Sequence, residues 1–248
     1  MMLLKDKVCL ITGASKGIGR SIAEEYAKQG AIVYVNARVE NSIDEWAANL
    51  ADTYHTKVTP VYFDITDLAA AKKQVMQIKS VEKRIDVLVN NAGMVTYEMI
   101  PMAQIDTFKS MIEVNVVAPF SLLQVVSRIM SRQKSGSIIN MASIVAEKGA
   151  KGQVSYATTK GAIISMTKSA AKELASMQIR VNAVAPGMVG TERFLKVFEE
   201  KFKEKIDDIG MTRLAEPYEI AQLCVFLGSD MSKYITGQII GIEGSTKL

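Results

Sequence analysis

The chain has 248 residues, of which 48% are hydrophobic and 23% charged, and its formal net charge is +4. These values are typical of a globular protein and exclude a chain too polar to form a core. Lys and Arg are mixed with Asp and Glu along the sequence, so no basic cluster indicates a nucleic-acid partner. The mild positive charge would favour an anionic cofactor.

Three further observations limit the class of protein. No apolar stretch approaches the roughly 18 residues that span a membrane, and the apolar N-terminal segment runs directly into a glycine motif instead of a signal-peptide cleavage site. The two cysteines, Cys9 and Cys224, fall in predicted core segments, and the single histidine, His55, lies in a polar stretch. We therefore expect a cytoplasmic protein with no membrane partner, disulfide or metal site.

Apolar, β-branched runs alternate with helical patterns from end to end. The predicted strands are KVCLIT, AIVYVN, VTPVYF, IDVLVN, SIINMA, IRVNAVA and QIIGIE. The predicted helices cover 17–29, 42–53, 67–80, 104–131 and 154–176, with further segments between 191 and 228. Because the strands lack strict polar alternation, we expect a parallel sheet with helices on both faces. No linker or repeat interrupts the pattern, so residues 1–248 are predicted to form one doubly wound α/β domain.

The first predicted strand is followed directly by Thr12-Gly13-Ala14-Ser15-Lys16-Gly17-Ile18-Gly19. A Gly-x-x-x-Gly-x-Gly pattern between a strand and a helix gives a tight turn, free amides at a helix N-terminus and close approach to a pyrophosphate. The spacing differs from the more common G-x-G-x-x-G, and a plain turn is the alternative. The strand before it and the helix after it favour a dinucleotide site.

The end of the second predicted strand indicates which dinucleotide binds. Folds that select NAD place an acidic residue there against the ribose 2′-hydroxyl, whereas this chain has Asn36-Ala37-Arg38. Arg38 and Lys16 can instead bind a 2′-phosphate through charge-assisted hydrogen bonds. The sequence therefore favours NADP(H) over NAD(H). If Arg38 is only a solvated loop charge, Ala37 still argues against strong selectivity for NAD.

Two later strand ends and one helix carry further candidate residues. Asp64 and Ile65 are expected to contact an adenine, although Asp64 could instead cap the next helix, where Asp67 is better placed. The turn Asn90-Asn91-Ala92-Gly93 lets the chain pass close to a flat ligand. Asn115 interrupts an apolar row in the long helix predicted over 104–131, and a buried Asn in mid-helix usually requires a specific partner.

Tyr156 and Lys160 are one helical turn apart, which places both side chains on the same helix face. A phenol with a reference pKa of about 10 is a weak acid, but an ammonium at about 4 Å would lower its pKa by about three units. Tyr156 could then exchange a proton near neutral pH, while Ser143 holds a substrate oxygen beside it. An isolated Tyr-x-x-x-Lys pair is more often a surface feature, so its meaning depends on the other motifs.

These motifs occur together in one known family. TGASKGIG, NNAG, Asn115, Ser143, YATTK and Pro186-Gly187 follow the order and spacing of the classical short-chain dehydrogenase/reductase family, which the chain resembles over essentially its whole length. The resemblance implies a Rossmann-type sheet of seven strands and hydride transfer to or from a nicotinamide. It also implies a catalytic tetrad of Asn115, Ser143, Tyr156 and Lys160.

In this tetrad, Tyr156 is the acid in carbonyl reduction and the base in alcohol oxidation. Lys160 holds the nicotinamide ribose and lowers the tyrosine pKa, Ser143 polarises the carbonyl, and Asn115 anchors a water in a proton relay. The motifs and the resemblance together assign the cofactor to Gly13, Ser15, Lys16, Gly17, Ile18, Gly19, Arg38, Asp64, Ile65, Asn91, Ala92, Gly93, Tyr156, Lys160, Pro186, Gly187, Val189 and Thr191.

GASKGIG, VNAVAPG and ITGQIIGIEG resemble most closely the bacterial 3-oxoacyl-acyl-carrier-protein reductase branch. That branch implies reduction of an acyl-thioester ketone and a role in fatty acid biosynthesis. Two features depart from it. Met177 occupies a position where those reductases often carry an arginine for docking the carrier protein, although Arg132 and Lys134 leave basic surface nearby. The segment after Thr191 is also longer than usual.

Residues 191–215 are predicted to form a substrate lid. Phe194, Phe198, Phe202 and Ile206 recur every four residues, which indicates an amphipathic helix. Its aromatic face could cover a substrate, or the helix could simply dock on the domain. Three residues after NNAG are expected to line the same pocket: Met94, Tyr97 and Met99.

The leading hypothesis is an NADP(H)-dependent oxidoreductase that reduces a small-molecule or acyl-thioester ketone to a secondary alcohol. One alternative is a sugar or polyol dehydrogenase of the same family. Another is a non-catalytic NADP(H) sensor, against which the intact tetrad argues because a pure binder needs no tuned phenol. By analogy with the family, we expect a homotetramer or dimer built on the helices that carry Asn115 and Tyr156.

Overall fold

The fold is built on a seven-stranded parallel sheet. The computed structural model describes residues 2–247, apart from the side chains of Glu199, Lys201 and Lys203. The strand order is β3-β2-β1-β4-β5-β6-β7, and each neighbouring pair is parallel. The strands are β1 (Val8–Ile11), β2 (Ile32–Ala37), β3 (Val58–Tyr62), β4 (Val87–Asn90), β5 (Gly136–Met141), β6 (Ile179–Pro186) and β7 (Ile239–Ile242). The order reverses between β1 and β4, which is where such sheets bind ligands.

Helices cover both faces of the sheet, as the sequence predicts. They are α1 (Gly17–Lys28), α2 (Asp44–Tyr54), α3 (Leu68–Glu82), α4 (Ile105–Ile112), α5 (Ala118–Gln133), α6 (Val145–Lys148), α7 (Val154–Leu174), α8 (Glu192–Lys201) and α9 (Pro217–Gly228). One core cluster packs α1, α2 and α9 against the sheet and contains both cysteines. The other packs α3, α5 and α7 against the opposite face.

The strands form where the sequence has continuous apolar residues. All four residues of β1 are buried, as are the last five of β5, because helices exclude water from both faces. Polar side chains follow these apolar runs, and some of them cap the next helix. Asp67 caps α3 by accepting a hydrogen bond from the backbone N of Ala70 at 3.0 Å, so the predicted cap is confirmed. Asp64 accepts hydrogen bonds from Thr66 instead.

The predicted long helix is α4 and α5 joined by a π-helical turn, Glu113–Val117. Pro119 has no N–H to donate to the carbonyl of Asn115, one turn earlier, so the regular α-helical ladder is interrupted there. Ile105–Gln133 is long and apolar enough to cross a membrane by length and composition. Half of its apolar window is buried in the protein, and α5 contacts α3, so this segment packs as a core helix of the fold.

The segment after Thr191 differs from the prediction. Thr191 caps α8 by accepting a hydrogen bond from the backbone N of Phe194, but α8 ends at Lys201. Phe202 leaves the helical conformation with φ −131°, and a 3₁₀ turn, Lys203–Asp208, follows. The amphipathic helix predicted to continue to Ile206 is therefore wrong beyond residue 201, and the chain turns toward the body of the protein there.

Candidate active site

The glycine motif forms a turn pressed against the turn after β4. Gly13 has φ +64°, and a Cβ on it would lie 2.8 Å from the Cα of Ala92. A Cβ on Gly19 would lie 2.3 Å from the carbonyl oxygen of Gly13. Both distances are shorter than real Cβ contacts, so these positions require glycine. The backbone of the glycine turn is therefore not covered by side chains at the carboxyl edge of the sheet.

Thr12 and Asn91 join the two turns. The hydroxyl of Thr12 accepts hydrogen bonds from the backbone N of Asn91 and of Ala92, each at 3.0 Å. The side-chain amide of Asn91 donates to the carbonyl oxygens of Thr12 and Gly13, at 2.9 and 3.1 Å. The side chain of Asn91 therefore positions the glycine turn, a role that its place in the NNAG motif did not reveal.

The N-terminus of α1 is open to an anion. Among residues 2–247, no side chain caps this helix, and its first turn carries no acidic residue. Its first backbone amides can therefore donate to a phosphate. Lys16 precedes the helix and lines a cavity of about 360 Å³ with residues of α8, including Glu192, Arg193 and Lys196. The predicted cofactor residues Ser15 to Gly19 thus surround a positive helix end.

Arg38, Asp64 and Ile65 follow β2 and β3 at the same edge of the sheet. Arg38 and Asp64 are exposed. Hydrogen bonds from the backbone and hydroxyl of Thr66 lower the pKa of Asp64, and the charge of Arg38 lowers it further. Ile65 is buried in the core on the α3 side, so its side chain packs internally and the exposed groups at this edge are Arg38 and Asp64.

Ser143, Tyr156 and Lys160 line one cavity of about 650 Å³ at the carboxyl ends of β4, β5 and β6. Ser143 follows β5, and Tyr156 and Lys160 project from the first turns of α7. Lys160 is only 5% exposed, donates to the carbonyl oxygen of Met141 at 2.7 Å, and lies 5.7 Å from the centre of the Tyr156 ring. A phenol, a hydroxyl and an ammonium therefore share one site.

Burial dominates the acid–base properties of this site. The pKa of Tyr156 is raised to about 12, because burial and, to a smaller extent, the neighbouring Tyr97 raise it more than a hydrogen bond with Ser143 lowers it. Burial lowers the pKa of Lys160 to about 8. The direction of the tyrosine shift is opposite to the predicted one: burial raises the pKa of Tyr156, and the charge of Lys160 is not among the causes that lower it.

Asn115 has the specific partners that its burial requires. Its side chain exchanges two hydrogen bonds with the backbone of Met94, each 2.9 Å long, and donates to the hydroxyl of Thr159 at 3.0 Å. Thr159 donates in turn to the carbonyl oxygen of Tyr156 at 2.8 Å. A Cβ on Gly93 would lie 3.2 Å from Asn115 Oδ1 and 3.7 Å from Lys160 Nζ. Asn115 thus links the turn after β4 to the helix that carries Tyr156.

The segment after β6 forms another wall of the cavity, to which Pro186, Gly187, Val189 and Thr191 all contribute. Gly187 is closely packed, since a Cβ on it would lie 2.9 Å from Glu243. Val189 pairs with Ala215 in a parallel β-bridge, which fixes both ends of the predicted lid. Ile18 at the start of α1 and Asn91 and Gly93 in the turn after β4 line the cavity as well.

Aromatic residues of the predicted lid cover the cavity. Phe194 and Phe202 line it and stack on each other, with ring centres 6.3 Å apart. The ring of Phe202 also lies 5.2 Å from that of Tyr97. Phe198 is buried beneath them instead. The residues expected to line the pocket after NNAG do so: Met94, Tyr97 and Met99.

Sequence reasoning missed several cavity residues that come from distant parts of the chain. They are Val95, Ile144, Val145, Ala150, Lys151, Gln153, Met188, Lys205, Asp208 and Lys247. Lys247, near the end of the chain, reaches the cavity because its backbone N donates to the carbonyl oxygen of Asp208 at 2.7 Å. No local pattern marks such positions, since only the tertiary fold brings the tail to this edge.

Comparison with known proteins places this geometry in context. A family model described as Enoyl-(Acyl carrier protein) reductase matches residues 13–245. The chain is 40% identical over 243 residues to the 3-oxoacyl-[acyl-carrier-protein] reductase FabG of Thermotoga maritima, covering 98% of each protein. It is 34% identical over 247 residues to a 3alpha-hydroxysteroid dehydrogenase of Mediterraneibacter gnavus, covering 99% of each.

A solved structure agrees with these matches. The L-sorbose reductase of Gluconobacter frateurii, crystallised with NADPH and L-sorbose, superimposes with a TM-score of 0.93 and 30% sequence identity, over 99% of this chain and 98% of that one. The matches extend over nearly the whole chain and include every strand of the sheet after β1. The chain therefore belongs to the short-chain dehydrogenase/reductase family.

Proposed function

We propose that this chain is an NADP(H)-dependent oxidoreductase that reduces a ketone to a secondary alcohol. One observation carries the proposal: Ser143, Tyr156 and Lys160 line the same cavity as Ile18 of the glycine motif, the turn after β4 and the segment after β6. A phenol that can donate a proton and a site that can hold a dinucleotide therefore meet at the switch point of the sheet. Relatives named as a reductase and as a dehydrogenase support this reaction class.

Bound NADPH supplies the hydride. Ser143 holds the carbonyl oxygen through its hydroxyl, and Tyr156 donates its proton to that oxygen as negative charge develops there. With a pKa of about 12, the phenol of Tyr156 is protonated at neutral pH and is ready to act as the acid. Lys160 stabilises the phenolate that remains, because its ammonium lies close to the tyrosine ring.

The residues around the proposed cofactor site suit NADP(H). Amides of the glycine turn and of the first turn of α1 bind the pyrophosphate, and Lys16 and Arg38 bind the 2′-phosphate. Asp64 and the backbone of Ile65, whose side chain packs internally, would hold the adenine, and Asn91, Ala92 and Gly93 would contact the cofactor from the turn after β4. Pro186, Gly187, Val189 and Thr191, which line the cavity, would hold the nicotinamide. In this arrangement Asn115 acts by tying the turn after β4 to α7 and by ordering a water in the proton relay.

A sugar or polyol dehydrogenase is the second candidate, and the structural likeness to L-sorbose reductase supports it. Against it, the wall beside Tyr156 consists mainly of methionine, valine and aromatic side chains, which offer a sugar few hydrogen-bond partners. A third reading is a non-catalytic NADP(H) sensor, which would not need the Ser143, Tyr156 and Lys160 arrangement. The apolar wall favours a ketone with a hydrocarbon body, such as a 3-oxoacyl thioester.

The enzyme acts in the cytoplasm, as one domain with residues 191–215 as its lid. It assembles as a homotetramer or dimer. Exposed apolar side chains on α4, α5 and α7, including Ile105, Phe120 and Val154, support association through these helices. An acyl carrier protein as partner and a place in fatty acid biosynthesis belong to the same proposal, since the relative from Thermotoga maritima is named for that substrate.

The decisive experiment replaces the proposed acid. Tyr156→Phe should lower turnover of a ketone by about 10²–10⁴-fold, the usual contribution of a general acid, while NADPH binding stays within about twofold of wild type. The assay should use a panel of a 3-oxoacyl thioester, a keto sugar and a simple diketone. Tyr234→Phe is the matched control because this tyrosine is fully exposed. Unchanged turnover in Tyr156→Phe would remove the proposed mechanism.

A further inference from the structure

The cavity changes chemical character between the catalytic groups and its mouth. Apolar side chains surround Tyr156 and Ser143 on the substrate side: Met94, Val95, Tyr97, Met99, Val145, Met188, Phe194 and Phe202. This surface comes from the turn after β4, the loop after β5, the segment after β6 and the lid. A ligand that fills it must have a hydrocarbon body, because polar groups there would lose their hydrogen bonds to water.

Charged side chains also line the cavity, and most are cationic. Apart from Lys160, they are Lys151, Lys205, Asp208 and Lys247. Lys205 and Asp208 form an ion pair at 2.7 Å and so neutralise each other. For Lys151 and Lys247, no carboxylate of the described side chains lies within ion-pair distance. Within the described part of the chain, Lys151 and Lys247 therefore bring two positive charges to the cavity that no side-chain carboxylate pairs with.

The fold holds these two lysines on neighbouring segments. Lys148, at the end of α6, donates from Nζ to the carbonyl oxygen of Thr246 at 2.7 Å. This bond ties the loop that carries Lys151 to the C-terminal tail that carries Lys247. The tail is also fixed on its other side, since Thr246 pairs with Ile209 in an antiparallel bridge. The two segments that carry Lys151 and Lys247 are thus held next to each other, and both lysines line the cavity.

We propose that the substrate carries a negative charge at the end of its apolar body remote from the ketone, and that Lys151 and Lys247 bind this charge. The inference rests on the proposed ketone reduction and names the class of substrate. The anion is the carboxylate of a free keto acid or the phosphate of a thioester carrier arm, since both present negative oxygens to an ammonium. It takes no part in the chemistry and serves to set the depth at which the ketone lies beside Tyr156.

The test compares, for each protein variant, the kcat/KM of an anionic substrate with that of its neutral counterpart. Wild type is assayed with NADPH on 5-, 8- and 11-oxotetradecanoate and on their neutral N-methyl amides, and on 3-oxoacyl thioesters of pantetheine with and without its 4′-phosphate. For at least one pair, kcat/KM should be about tenfold higher for the anionic member, as two half-exposed ion pairs would give. The preference should shrink as ionic strength rises.

Variants assign the effect to the two lysines. In Lys151→Gln and Lys247→Gln the anionic preference should fall by about threefold each, and in the double variant it should disappear. Lys73→Gln, which removes the same charge from the exposed side of α3 away from the cavity, is the control and should keep the wild-type preference. A preference confined to the acids identifies a carboxylate, and one confined to the thioesters identifies a phosphate.

Two other results have separate meanings. If wild type reduces the charged and neutral members of every pair equally, or if the double variant keeps the full preference, the anion site is wrong while the reductase activity stands. If wild type oxidises NADPH with none of these ketones, the proposed reduction fails and the substrate inference fails with it.

Discussion

The ammonium group of Lys160 is unfavourable to bury, yet the proposed reaction requires it beside Tyr156. Its ammonium is buried, and it has one backbone acceptor, the carbonyl oxygen of Met141. Loss of water lowers its pKa to about 8, so the cation that Tyr156 requires persists only below that pH. The proton donor, with its pKa of about 12, stays protonated over the whole range in which the lysine titrates.

This difference predicts the pH dependence of ketone reduction. The kcat/KM should be constant below about pH 8 and should fall above it as Lys160 loses its proton, measured at saturating NADPH. Arg at this position stays charged, so in Lys160→Arg the alkaline decline should move to higher pH even if the maximal rate is lower. A decline that is unchanged in this variant would assign the titration to another group.

Arg38 is the residue that should decide between the two nicotinamide cofactors. Its exposed guanidinium can form charge-assisted hydrogen bonds with a 2′-phosphate, each with a stability of about 1.5–3 kcal/mol. Arg38→Ala should therefore raise the Kd for NADPH by at least about tenfold and leave that for NADH within about twofold, as measured by fluorescence titration. Arg132→Ala, on the last turn of α5, is the control. Equal losses for both cofactors would contradict the 2′-phosphate assignment.

Among the helices and strands, the lid shows most clearly how tertiary packing overrides the local preference of a sequence for helix. The spacing of its aromatic residues predicts a helix to residue 206, but α8 ends at Lys201. Phe202 instead turns toward Tyr97 and stacks with Phe194. Burial of these rings against the cavity outweighs the hydrogen bonds of another helical turn, because helix propensity is weak beside tertiary packing.

Removing this aromatic contact should open the cavity. Phe202→Ala should raise the KM of a long-chain apolar ketone by about tenfold, since an aromatic pair contributes about 0.5–1.5 kcal/mol in addition to the buried area of the ring. The Kd for NADPH should change little. Tyr234→Ala, which removes a fully exposed ring outside the lid and outside the proposed subunit interface, is the matched control. If KM is unaffected for ketones of every chain length, the lid does not contact substrate.

At the scale of the whole molecule, a helix from the first part of the chain packs against a helix from the last part. Helix α1 lies against α9, and the buried hydroxyl of Tyr26 donates to the carbonyl oxygen of Cys224 at 2.8 Å. A Cβ on Gly228 would lie 2.9 Å from that hydroxyl oxygen, so the two helices approach closely at a glycine. Contacts between such distant segments form only when the whole sheet is assembled.

Tyr26→Phe should therefore destabilise the entire fold. The variant removes a buried hydrogen bond, although the carbonyl oxygen of Cys224 keeps its partner within α9, and this costs about 0.5–1.5 kcal/mol of unfolding free energy. The free energy can be measured by urea denaturation followed by circular dichroism. Tyr234→Phe removes the same hydroxyl from a fully exposed tyrosine and should cause no measurable change. A similar stability for both variants would show that the α1–α9 hydrogen bond contributes little.

The sequence by itself determined the order of strands and helices, the glycine turn, the α/β class and the family, and these predictions are confirmed. They succeed because hydrophobic periodicity and turn chemistry are local, and because Gly13 and Gly19 occupy positions that no other residue tolerates. The assignments of Asn115, Ser143, Tyr156 and Lys160 stay predictions about chemistry, although three of these four residues line one cavity.

Only the tertiary structure decided the acidity of Tyr156 and Lys160, the break at Phe202 and the arrival of Lys247 at the cavity. A pKa depends on how much water surrounds a group, and burial results from the packing of segments far apart in the chain. The positive charge at the cavity mouth likewise depends on Lys247, which lies far from Lys151 in the sequence. Spacing along the chain identifies chemical groups, whereas the fold sets their surroundings.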